Sequence, residues 1–154
     1  MTEPMHPDWP VADFDPVRRL RVLAATVPGA SIHEAVLAAP FERVWEVATD
    51  LEGALPRWLP DIRTVRANAD ATEALIVGHS RLRARFDVRL EPGWCLMQSR
   101  FVLGGMAARP DGEGTRFAFL GTLRLPAAGL LAPALRPLGG RALRRFEALV
   151  GERR

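Results

Sequence analysis

Hydrophobic positions along this chain change their spacing several times, and each change marks an element boundary. After Asp15 and Pro16, which suit a helix cap and a first helical position, Val17, Leu20, Leu23, Ala24 and Val27 recur at helical spacing until Pro28-Gly29 stops them. Ser31 to Ala39 reads as a strand with blurred alternation, in which Ile32, Val36 and Ala38 share one face with Glu34. Pro40 then opens a helix. Phe41, Val44, Trp45 and Ala48 fall at i, i+3, i+4 and i+7, one buried stripe, and Glu42 sits where the helix dipole favours negative charge. Gly53 breaks it. Leu55 to Asp61 suffices for one or two turns, with Asp50 and Asp61 capping or terminating the short helices.

From Ile62 the period becomes two. Arg83, Arg85, Asp87 and Arg89 alternate with Ala84, Phe86, Val88 and Leu90, the mark of an antiparallel strand with one wet and one dry face. Pro92-Gly93 is a turn, Trp94 to Leu103 the next strand, and Asp111-Gly112-Glu113-Gly114 a hairpin signal. Thr115 to Leu125 places Phe117, Phe119, Leu123 and Leu125 on one face and Arg116, Ala118, Thr122 and Arg124 on the other. Pro126 ends the sheet. Ala127 to Arg154 is helical in pattern, with stripes Leu130, Leu131, Ala134, Leu135, Leu138 and Leu143, Phe146, Leu149, Val150; Pro137 and Gly139-Gly140 between them predict a kink or break.

Composition narrows the classes. A chain of 154 residues is one domain, and it buries roughly 68–70% of its unfolded surface. With 48% hydrophobic and 25% charged residues it reads as an ordinary soluble globular protein, and no apolar run is long enough for a transmembrane segment. The N-terminus, acidic and proline-rich, lacks the charged-then-apolar order of a signal peptide. One cysteine, Cys95, excludes an internal disulfide and fits a cytoplasmic protein. The net charge is +3 and every basic residue is arginine. These arginines are spread along the chain without a reading helix or an aromatic stacking platform, so nucleic acid is not an expected partner. His6, His33 and His79 lie far apart with no cysteine cluster, so no metal is expected, and no phosphate loop or nucleophile elbow calls for a cofactor or a serine triad.

One strand, two short helices, a run of antiparallel strands and a long C-terminal helix resemble the helix-grip fold of the START-like (SRPBCC) superfamily, and within it the polyketide cyclase/dehydrase group. Ala39-Pro40, Val44-Trp45, Asp50, Trp58 with Pro60, and Gly114-Thr115-Arg116 carry the match. The chain departs from the pattern in its N-terminal helical extension and in having no tyrosine. The resemblance implies an α+β fold in which a curved antiparallel sheet wraps around the long C-terminal helix, with residues 1–30 an extension bearing one helix and 31–154 the START-like domain. It also implies a pocket between the sheet, the short helices and that last helix. The pattern agrees: an antiparallel sheet with one apolar face must be covered, and the final helix is the long apolar stripe available.

The dry faces and the short helix nominate ligand-binding residues: Trp58 near the pocket mouth, Phe86, Val88, Met97, Phe101, Phe117 and Phe119. These residue types line apolar ligand cavities and fill plain cores alike, and periodicity does not separate the two. His79 shares a face with Leu75 and Val77 and is the candidate general acid or base, against the plainer reading of a strand-end histidine with ordinary hydrogen bonds. Arg85 and Arg100 are of the right type to anchor a carboxylate or phenolate, but their register puts them on wet faces. Cys95 has no neighbouring histidine and is read as structural. The functions these residues fit are binding of a hydrophobic or lipid-like small molecule in an internal pocket, a polyketide cyclase or dehydratase using His79, and an interaction module using the Arg144-Arg145 surface of the last helix.

Overall fold

The computed structural model describes residues 15–124 and 128–152, and within the last helix the side chains of 128, 129, 131 and 132 are outside the description. The expectations for residues before Asp15, for Leu125 and Pro126, and for the Leu131 side chain therefore lie outside the described residues.

The elements run α1 (Pro16–Thr26), β1 (Ser31–Leu37), α2 (Phe41–Thr49), α3 (Leu55–Trp58), β2 (Ile62–Ala67), β3 (Glu73–Gly78), β4 (Arg83–Glu91), β5 (Trp94–Gln98), β6 (Val102–Asp111), β7 (Gly114–Leu123) and α4 (Ala128–Glu152). The strands form one antiparallel sheet in the order β1-β7-β6-β5-β4-β3-β2. Each pair from β2 to β7 is joined in sequence, and β1 crosses over to pair with β7. The sheet curls around α4, with α2 and α3 closing the same side: the α+β helix-grip arrangement.

The concave face holds the main core. Phe86 and Val88 of β4, Met97 of β5, Met106 and Ala108 of β6, and Phe117 and Phe119 of β7 meet Trp58 of α3 and Phe146 of α4 there. At its centre Phe117 stacks on Phe146 with centroids 4.0 Å apart, and Trp58 packs its edge toward Phe117, Phe119 and Phe146. The motif residues that carried the family resemblance lock one corner. Thr115 Oγ1 donates to the Ala39 carbonyl at 2.7 Å, satisfying a fully buried hydroxyl. A side chain on Gly114 would strike the Leu37 carbonyl, so only glycine lets the two strands close there.

A second, smaller core lies on the convex face. Asp15 caps α1 by accepting from the Arg18 backbone N–H, and Val17 and Leu20 press onto Trp94, Leu103, Ala107, Ala118 and Leu120. Leu20 comes so near Gly105 that a methyl there would stand 2.9 Å from it. Ile32, Glu34 and Val36 share one face of β1, as their spacing required, and it is the face turned to this second core. His33, Ala35 and Leu37 face the main core side, whereas Ile32 joins the α1 core and Val36 is half exposed. Alternation was blurred because the start of this strand is covered on both sides.

The last helix differs from expectation in another way. It is continuous from Ala128 to Glu152, with Pro133 and Pro137 inside it. Each proline removes a backbone donor. Residues 133–138 are exposed, so the carbonyls left without an intrahelical partner lie where water reaches them, and the helix persists.

Candidate functional site

The concave face carries an alternation that runs out of side chain. Along β7 the inward positions are Phe117, Phe119, Gly121 and Leu123. Gly121 pairs with Ser31 of β1 on one side and with Gly104 of β6 on the other. Three small residues in a row across the sheet leave a trough where three large ones would have filled the core. A methyl added to Gly121 would meet nothing within 4 Å. Above the trough, α4 passes with Leu135, Leu138, Gly139 and Ala142, and the end of α3 adds Leu59 and Pro60. The result is an apolar cavity of about 210 Å³, open at the end of the sheet where β1 and β6 begin and β7 stops. A smaller apolar hollow of about 50 Å³ lies beside it, sharing Leu59 and Phe119 and reaching Met97 and Gly104.

The sequence nominations divide on this geometry. Phe119 lines the cavity, and Met97 lines the hollow next to it. Trp58, Phe86, Val88 and Phe117 are buried as packed core. Trp58 is fully buried rather than at a mouth; the rim is formed by its neighbours Leu59 and Pro60. Phe101 is 51% exposed, because β5 stops at Gln98 and the Ser99 N–H closes a turn onto the Val102 carbonyl, which swings Phe101 outward. His79 is also exposed. The β3 strand ends at Gly78, the chain turns at once, and the imidazole lines neither the cavity nor the hollow beside it. That placement removes His79 as the acid or base of a pocket reaction. Arg85 and Arg100 are exposed as their register required. Cys95 is fully buried, and burial pushes its thiol up to about 12, which leaves it inert as a nucleophile. Among the described residues no group of histidine, cysteine and acidic side chains is placed to hold a metal.

Sequence reading missed His33. Its ring stacks on Phe119, its cross-strand neighbour, at 5.3 Å and 23°. Gly139 of α4 lies directly over it, and a methyl on that glycine would overlap Nε2. His33 Nε2 and Trp58 Nε1 are both buried without a hydrogen-bond partner among the described residues, and both rings contact Phe119. Each such orphan costs about 1–3 kcal/mol. The usable signal was the cluster of histidine, glycine and phenylalanine at paired positions, which only the strand register reveals.

His33 is held below its ordinary value of 6.5, first by burial and then by the Arg136 guanidinium. The folded protein therefore binds fewer protons here than the unfolded chain does below that value. Its stability is complete above 6.5 and falls as acid is added through 6.5 toward the depressed folded value. Thermal melts between about pH 7.5 and about pH 5.5 are expected to show this loss, and His33→Phe to flatten it. Equal slopes for the two proteins would show that His33 is not the group responsible.

Comparison with known proteins places this geometry in a family. The profile described as polyketide cyclase / dehydrase and lipid transport matches residues 30–151. The chain belongs to that family. Solved structures agree on the fold. Protein NE0264 from Nitrosomonas europaea aligns at a TM-score of 0.64 with 15% identity, covering 81% of this chain and 96% of its own. TTHA0849 from Thermus thermophilus aligns at 0.59 with 25% identity, covering 79% of this chain and 96% of its own. CV1439 from Chromobacterium violaceum aligns at 0.58 with 20% identity, covering 80% and 98%. Comparison with curated protein sequences gives no match. The matched region begins at residue 30, after α1.

Proposed function

We propose that this protein binds a small, mostly apolar molecule in the cavity beneath α4. The observation that carries the reading is the trough at Ser31, Gly121 and Gly104, where the sheet withholds side chains from an otherwise close-packed core. About 210 Å³ is below the roughly 300–1,000 Å³ of drug-sized pockets. It suits one or two rings or a short chain, with any larger part of the ligand lying in the open mouth. The lining is apolar, so burial of the ligand's apolar surface supplies the affinity. His33 Nε2 and Trp58 Nε1, left without partners beside Phe119, are the polar groups from which a ligand could gain orientation after a small rearrangement. With His79 outside, nothing in the cavity favours the cyclase reading over binding.

Gly121→Leu tests this directly, because the new side chain has open space to enter and occupies the cavity. Native mass spectrometry of the purified protein is expected to show a bound small molecule, or saturable uptake of 1-naphthol as a probe. The variant is expected to lose it while keeping or slightly raising its melting temperature, since glycine weakens a strand interior by roughly 0.5–1 kcal/mol. A wild-type protein that carries nothing and takes up no probe, or a variant that binds unchanged, would overturn the reading.

A further inference from the structure

We propose that the end of the sheet where the cavity opens is a docking face for an anionic membrane surface. The proposal deepens the cavity reading by naming the source of its apolar ligand, although docking itself is measured without one.

Exposed apolar side chains are ordinary when scattered singly. Here they gather. Nine large hydrophobic residues are exposed among those described, and five of them lie at this one end: Leu82, Phe101, Leu130, Leu135 and Leu138. Leu82 and Leu130 are the most exposed of all, at 74% and 81%. Leu135 and Leu138 also line the cavity, so the apolar surface is continuous from mouth to rim. These residues stand on three separate projections, the β3–β4 turn, the β5–β6 turn and the first half of α4. Prongs of this kind suit insertion into a soft apolar layer better than the flat contact of a protein partner.

Charge points the same way. Arg81, Arg83, Arg100, Arg124 and Arg136 share this end, and none of them forms an ion pair among the described residues. Arg100 lies over the Phe101 ring at 5.3 Å, and the Arg124 N–H bonds the Phe101 carbonyl, so basic and apolar groups are tied into one turn. Among the described residues the carboxylate at this end is Asp61, and it is engaged by the Ser80 hydroxyl at 2.8 Å and the Ser80 N–H at 3.1 Å. Of the other carboxylates that pair or cap, Asp15, Glu91, Asp111, Glu52 and Glu152 lie at the opposite end or at the far end of α4, and Glu34, within β1, is held by Arg21 and Arg116. An arginine-rich rim around protruding leucine and phenylalanine matches lipid phosphates over acyl chains.

The β3–β4 prong is also tied down. Asp61 and Arg81 both adopt positive φ, 59° and 69°, a conformation that ordinary side chains avoid. The Asp61–Ser80 bonds, and the His79 N–H donating to the Asp61 carbonyl at 3.0 Å, fasten the β3–β4 turn to the corner beside Pro60 on the cavity rim. Strain retained at an exposed turn, and held by bonds to the rim, presents Leu82 outward.

Vesicle co-sedimentation of the purified full chain tests the proposal. Vesicles of phosphatidylglycerol and phosphatidylcholine are expected to bind it at least about ten-fold more tightly than phosphatidylcholine alone, with the difference shrinking in high salt. The double variant Leu82→Asp/Phe101→Asp is expected to lose at least about ten-fold in affinity for the anionic vesicles. Arg81→Glu/Arg100→Glu, a second variant of exposed positions, is expected to do the same. Melting temperatures of both should match the wild type. No binding to anionic vesicles, equal binding to both lipids, or variants that bind unchanged would overturn it. So would a dimer in solution that the Leu82→Asp/Phe101→Asp change dissociates, which would assign the face to a second copy of the chain. Because the vesicles carry no added ligand, an empty cavity would leave this result readable, and failure to dock would leave 1-naphthol uptake intact.

Discussion

Trp58→Ala is expected to destabilise the fold by about 3–5 kcal/mol. Trp58 is fully buried at the meeting point of α3, β7 and α4, with ring centroids of Phe119 at 5.4 Å and Phe146 at 5.0 Å. Three of the largest buried side chains, Trp58, Phe117 and Phe146, form one contact set, so removing the indole leaves a void that the stacked Phe117–Phe146 pair cannot collapse into without breaking its own geometry. A domain of ordinary stability has about 5–15 kcal/mol in all, so the variant is expected to sit near the margin of folding at 37 °C. Urea denaturation read by circular dichroism gives the difference. Trp58→Phe keeps an aromatic ring and removes the orphaned Nε1, so it should recover more than half of the loss. A cost below about 1 kcal/mol for the alanine variant would mean that the centre of the core lies elsewhere.

The adjacent glycines of α4 are expected to respond to alanine with opposite signs. In a helix interior, glycine to alanine ordinarily gains about 0.8–1.0 kcal/mol. At Gly140 a methyl would meet nothing within 4 Å, so Gly140→Ala should show that gain. At Gly139 the same methyl would overlap His33 Nε2, and His33 is pinned by Phe119 behind it. Either the imidazole leaves its stack or α4 rises from the sheet, and overpacking of this kind costs about 1–3 kcal/mol. Combining Gly139→Ala with His33→Ala should restore most of the loss, a coupling that two independent sites would not show. Stabilisation by both single changes would remove the close approach of α4 over His33.

Much of the fold was legible because antiparallel strands write their faces into the sequence. The alternation around Phe86 and Val88, and that of Phe117 and Phe119, predicted burial that the structure has. The same signal placed Met97 in the core. It failed at strand ends. Phe101 looked like the continuation of β5, and His79 of β3, because the turns between strands are built by residues with no turn signature: Arg81 takes the left-handed conformation that sequence reading assigns to glycine or asparagine. Periodicity also reports which way a side chain faces and not whether the space before it is filled. The cavity arises from the absence of large side chains at Ser31, Gly104 and Gly121, which become neighbours through the pairing of β1, β7 and β6. His33 went unseen as a site residue for the same reason. Its significance comes from Phe119 beside it and Gly139 above it, residues 86 and 106 positions away that only register and helix packing bring together.

The helix that precedes the family's matched region has a consequence for how the sheet comes apart. Strands β6 and β7 bear the main core on one face and the α1 core on the other, so neither can leave the sheet without dissolving both at once. Strands β2 and β3 have apolar packing on a single face, and among the described residues β2 is the last strand on its side of the sheet. The molecule thus combines a doubly clamped half, which opens only with global unfolding, and a singly clamped margin whose local opening leaves the clamp intact. The cavity, between the clamped β7 and the helix above it, takes its walls from the half that cannot open separately. Any widening to admit a ligand therefore falls to α4.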